Sequence, residues 1–140
     1  MSGQFRGARG VDQLLKIARA ETEALRIDLR DIESAIAGAA EAMAENEAAV
    51  SRERGADDNP VAFARFIEAM RERRLNISKT LISLEAAEET AREQLAAALG
   101  EIAKLERVAA INADEKRAAD KRRETGLLDE AARRPRRALV

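Results

Sequence analysis

The stretch Leu29-Arg30-Asp31-Ile32-Glu33-Ser34-Ala35-Ile36 sits in the middle of a seven-residue repeat, and the fold follows from that repeat. Read outward from Leu29, one column runs Leu15, Thr22, Leu29, Ile36, Met43, Val50. A second column runs Val11, Ala18, Leu25, Ile32, Ala39, Asn46. Ten of these twelve positions are apolar, and a pattern kept for six heptads marks a coiled-coil seam. After residue 60 the pattern returns. One column is Ile67, Arg74, Leu81, Glu88, Leu95, Ile102, Ala109, and its neighbour is Phe63, Met70, Ile77, Leu84, Ala91, Ala98, Leu105, Asn112.

Between the repeats lies Gly55-Ala56-Asp57-Asp58-Asn59-Pro60, the one strong breaker in the chain. Gly55 suits a left-handed helix stop, Asn59 an N-cap and Pro60 a first helical position. The expectation is an all-α antiparallel two-helix coiled-coil hairpin with a longer, protruding C-terminal helix. Helix 1 spans about 11–54, the loop 55–60 and helix 2 about 61–134, with flexible ends at 1–10 and 135–140. The shortest-loop register pairs Val50 with Phe63, Met43 with Met70, Ile36 with Ile77 and Leu29 with Leu84. A register one heptad away keeps the same columns inside.

In that first register three layers break the seam: Ala39 with Arg74, Leu25 with Glu88 and Asn46 with Ile67. Long charged side chains can snorkel out of a thin seam, and a core Asn can fix register. The sharper alternative is a soft spot where the hairpin parts for a partner. Beyond about residue 111 the columns would hold Asn112, Lys116, Ala119, Arg123, Gly126 and Glu130, so no seam remains. This overhang would extend roughly 35 Å past a hairpin of about 65 Å if helical.

Composition narrows the function. The chain has 140 residues, 36% of them charged, and no Cys or His. Thiolate and imidazole metal sites and His-based catalytic pairs therefore cannot be built. There is no Gly-Lys phosphate loop, and the many carboxylates fall on solvated helix faces. The expectation is a non-enzyme with no cofactor, metal or small-molecule substrate. No apolar signal segment or membrane span is visible, so the expected compartment is the cytoplasm.

The net charge of −1 conceals a division. Residues 116–137 hold nine Lys/Arg against four Asp/Glu, while residues 1–115 hold sixteen against twenty-two. The basic run has no interleaved aromatic and is diluted by acids, which argues for a protein partner over nucleic acid. Phe66, beside Phe63 and one turn before Met70, is the second candidate contact, as aromatics anchor interfaces.

Two motifs resemble the FliJ family, the stalk proteins of the bacterial flagellar type III export apparatus. Phe66-Ile67-Glu68-Ala69-Met70 is similar to the family's Phe-Ile-x-x-Leu segment, and Leu128-Asp129-Glu130-Ala131 with Arg133 is similar to its Asp-Glu-x-Ala-x-Arg ending. The resemblance in layout covers about residues 11–134. It implies a stalk in the pore of the hexameric flagellar export ATPase that also contacts the cytoplasmic domain of the export gate and the export chaperones. Such a stalk is held at the membrane only through its partners. The ring contact would fall on Lys116, Arg117, Lys121, Arg122, Arg123, Leu128, Asp129, Glu130 and Arg133. The gate contact would fall on Phe66, Met70, Arg73 and Ile77, of which Arg73 and Ile77 depart from the family's small and His residues. Helix 1 also lacks the aromatics many members carry near its end. The injectisome counterpart of the stalk and a self-associating structural coiled coil or adaptor are the alternative readings.

Overall fold

The structure, a computed structural model, describes residues 2–56 and 59–134. It is an all-α helical hairpin of two helices, α1 (Ser2–Ala56, 55 residues) and α2 (Pro60–Arg133, 74 residues). Asp57 and Asp58, read above as turn residues, and the expected flexible tail 135–140 lie outside the described residues. The chain divides into two units, Met1–Ala20 with Leu99–Val140 (unit 1) and Glu21–Ala98 (unit 2).

The helix ends follow local chemistry, with two departures from expectation. Asn59 caps α2, its Oδ1 accepting from the backbone N–H of Val61 at 3.1 Å and of Ala62 at 3.4 Å. Pro60 follows as the first helical residue, where the missing N–H costs nothing. Gly55, by contrast, does not stop α1 in the left-handed conformation. It remains helical, α1 runs on to Ala56, and no described residue has a positive φ. Nor does α1 begin at Val11. It starts at Ser2, nine residues earlier than the heptads indicate, so Gly7 and Gly10 are helical despite their low propensity. The far end of α2 closes at Arg133, two residues before Pro135, which disfavours the helical conformation in the residue that precedes it.

The seam lies where the columns put it. All twelve column positions of α1 are buried or half-buried, as are fourteen of fifteen in α2. The exception is Arg74, whose side chain reaches solvent and Glu47 at 3.9 Å. Glu88 likewise snorkels outward to Arg92 at 3.5 Å. The structure thus favours the snorkelling account of these residues. Of the three residues that interrupt the seam Asn46 stays inside, 4% exposed, and its Nδ2 donates to the Met70 carbonyl at 3.1 Å. Among the described residues no buried side-chain N or O lacks a partner.

Within unit 2 the cross-helix contacts choose between the two registers. In the shortest-loop alignment Glu33 lies level with Thr80, yet it pairs with Arg92 at 3.8 Å. Twelve residues of α-helix is about 18 Å, beyond the reach of an Arg and a Glu together. Shifting the alignment one heptad leaves about 7.5 Å, and both side chains lean toward their own helix N-termini, hence toward each other. This register pairs Val50 with Met70, Met43 with Ile77, Ile36 with Leu84 and Leu29 with Ala91. It also places Asn46 and Arg74 in one layer and Ala39 opposite Leu81. Two layers are then polar instead of three. In unit 1 the Arg19–Glu106 pair, 3.4 Å, has the same five-residue offset from this alignment as Glu33–Arg92.

The register is directly testable because the chain has no native Cys. A Met43→Cys, Ile77→Cys double variant should close an intramolecular disulfide under mild oxidation, seen as a mobility shift reversed by reductant. Met43→Cys with Met70→Cys should stay reduced; the opposite outcome restores the shortest-loop register. Asn59→Ala should lower stability by about 1 kcal/mol through loss of the N-cap, and an unchanged thermal midpoint would contradict that role.

Candidate functional site: a bare helix end and a tip face

In unit 1 the same alignment puts the start of α1 level with Ala118. The column of α2 is accordingly half-buried at Asn112 and again at Ala119, and from Asp120 to Arg134 every residue is exposed. The unpaired stretch therefore begins near residue 120 rather than 111, because α1 starts earlier than the heptad pattern shows. Its helical part is about 21 Å long. Lys116 and Arg117 fall alongside the first turns of α1. Lys121, Arg122, Arg123, Leu128, Asp129, Glu130 and Arg133 fall on the bare end.

Successive residues of a helix are about 100° apart, so this end can be unrolled into three stripes. Arg123, Leu127 and Arg134 continue the line of Lys116. Arg117, Lys121 and Leu128 share a second line, on which Glu124 also lies. Arg122, Asp129 and Arg133 make the third. Positive charge thus surrounds the axis instead of forming one basic face, and two of the three stripes carry a leucine. Leu127 and Leu128 are 66% and 70% exposed, without any seam to receive them. Local bonds hold the helix itself. Arg117 pairs with Asp114, Arg122 Nε donates to the Ala118 carbonyl at 3.3 Å, and Thr125 Oγ1 to the Lys121 carbonyl at 2.9 Å. Each exposed pair of this kind contributes only about 0–1 kcal/mol.

The tip face lies in unit 2. Phe66, Met70, Arg73 and Ile77 are spaced by four, three and four residues along one side of α2. Met70 and Ile77 are half-buried in the seam, Phe66 is half-buried on its flank, and Arg73 is exposed. Phe66 therefore both seals the seam edge and leaves part of its ring accessible. The other flank of the tip holds a feature that the columns do not reveal. Arg54 of α1 and Arg71 and Arg74 of α2 line one groove there. Their convergence depends on the register, and repeat reading leaves the register open.

Among the described residues no helix is long and apolar enough to cross a membrane, and no three or more His, Cys, Asp or Glu gather as a metal site. Compared with known proteins, the chain matches no family model, no curated sequence and no solved structure.

Helical stability in proteins comes mostly from tertiary packing. Amide hydrogen exchange in the free protein should therefore be fast across 120–134 and slow around Ala91, which is 6% exposed. Equal protection in both places would show that the bare end has packing partners of its own.

Proposed function

We propose that the chain is a non-enzymatic stalk of the bacterial flagellar type III export apparatus, binding the export ATPase ring through its bare helix end and the export gate near its tip. The observation that carries this reading is the distribution of charge around residues 116–134. A partner that grips one side of a helix selects a one-sided pattern. A partner that encloses the helix, as a ring encloses a stalk, meets a cation on every stripe and a leucine on two of the three. Nucleic acid in a groove would favour the one-sided pattern, with phosphate contacts gathered on a single face.

The sequence resemblance supports the same assignment at both ends. Leu128-Asp129-Glu130-Ala131 and Arg133 lie on the bare end, where a ring can reach them, and Phe66 with Met70 lies on the tip face. The difference in helix length, 74 against 55 residues, supplies the projection that a stalk requires. In this reading the hairpin is a stiff link between two machines, peripheral to the membrane through its partners, and export chaperones dock on it in exchange. The chemistry of ATP hydrolysis belongs to the ring.

The experiment is stimulation of ATP hydrolysis by the flagellar export ATPase from the same genome. The full chain is compared with a version ending at Ala119, which keeps every sheltered column position. Stimulation by the full chain and its loss on truncation, with unchanged circular dichroism of the hairpin, is the expected result. Binding of neither version overturns the flagellar assignment, and equal stimulation by both moves the contact off the bare end. Within the full chain, Arg123→Glu with Arg133→Glu should weaken ring binding at least tenfold, read by pull-down across a salt series.

A further inference from the structure

Unit 2 is strongly acidic: residues 21–98 hold ten Lys/Arg against seventeen Asp/Glu, a net of −7. Against that background one groove is basic. It has a volume of about 360 Å³ and lies on the flank of the tip away from Phe66 and Arg73. Arg54, Arg71 and Arg74 line it beside one acid, Glu47, so its local balance is +2. Its apolar wall is Val50, Ile67 and Met70, all half-buried members of the seam. Asn46 and Ser51 add polar groups.

Helix-dipole compensation explains part of this. Arg54 is in the last turn of α1, where a cation is favourable. It does not explain Arg71 and Arg74, which lie about three and four full turns from the start of α2. Arg74 is already engaged by Glu47 in a long, exposed pair at 3.9 Å, which shows that a carboxylate is accommodated at this rim. Among the described residues Arg54 and Arg71 carry no such partner, and both are exposed.

We infer that this groove is a docking site for an acidic, aliphatic peptide segment of a partner protein. The partner's carboxylates would be held by Arg54 and Arg71, and an adjacent Leu-type side chain would lie on the Val50–Ile67–Met70 wall. Planar guanidinium groups bind carboxylates through paired N–H donors, and Arg is enriched among energetically dominant interface residues. The apolar wall separates this ligand class from a bare anion: phosphate satisfies the arginines but leaves the wall open to water. The inference does not rest on the stalk assignment, since it uses neither the bare helix end nor Phe66 and Arg73, and shares only Met70 with the tip face.

The test is a titration of the full chain, labelled at arginine with ¹⁵N, with N-acetyl-leucyl-glutamate as the probe, following the Nε–Hε resonances. Arg54 and Arg71 should shift together and saturate in the millimolar range, while Arg30 and Arg65, on outer helix faces, stay in place. Arg71→Gln should weaken binding at least fivefold with unchanged circular dichroism. Inorganic phosphate should bind more weakly than the dipeptide. Shifts that fail to saturate, or that are equal at all arginines, overturn the site. Tighter binding of phosphate than of the dipeptide overturns the ligand class.

Discussion

Everything in this protein depends on a seam only two columns wide on each helix. A hairpin has no third layer, so each core side chain is covered from one direction and the edges stay wet. Among the described residues only Leu15, Thr22, Asn46 and Ala91 are buried outright, and two of these four are polar. Stability must therefore come from many half-buried contacts added along the helices rather than from a few complete ones. For the same reason Arg74 and Glu88 can occupy core columns: a short excursion carries their charges to water and to Glu47 and Arg92.

A repeating seam has a weakness that its polar residues repair. Sliding one helix by seven residues returns apolar columns to apolar columns, so hydrophobic burial alone separates neighbouring registers poorly. Asn46 breaks the tie through its bond to the Met70 carbonyl. An amide left unpaired at that depth would cost about 1–3 kcal/mol. The alignment that satisfies it also brings Asn46 and Arg74 into one layer. Each would otherwise interrupt a separate apolar layer, so gathering them preserves one more dry contact.

The columns were legible because heptad periodicity is a property of one helix at a time. The column positions of α1 and α2 are buried or half-buried with the single exception of Arg74. What was not legible is whatever depends on two helices together or on weak local signals. The repeat leaves the register open by one heptad, because both alignments bury the same columns, and α1 continues through Gly55 to Ala56. The start of α1 at Ser2 was hidden by Gly7 and Gly10, which look like a coil composition. That one error displaced the expected origin of the bare end from about 120 to 111. Lys121 to Arg133 could still be read as unpaired, since no seam continues past Ala119. The Arg54–Arg71–Arg74 groove could not be read, because these arginines meet only in the observed register.

One chain closes its own seam, leaving the end of α2 free for a partner. Sedimentation equilibrium across a hundredfold range of concentration addresses it most directly. The expected result is a constant mass of 15.3 kDa. A concentration-dependent rise to twice that mass, with the Met43→Cys, Ile77→Cys disulfide forming between chains, would mean that the helices pair across a dimer and that no single hairpin exists.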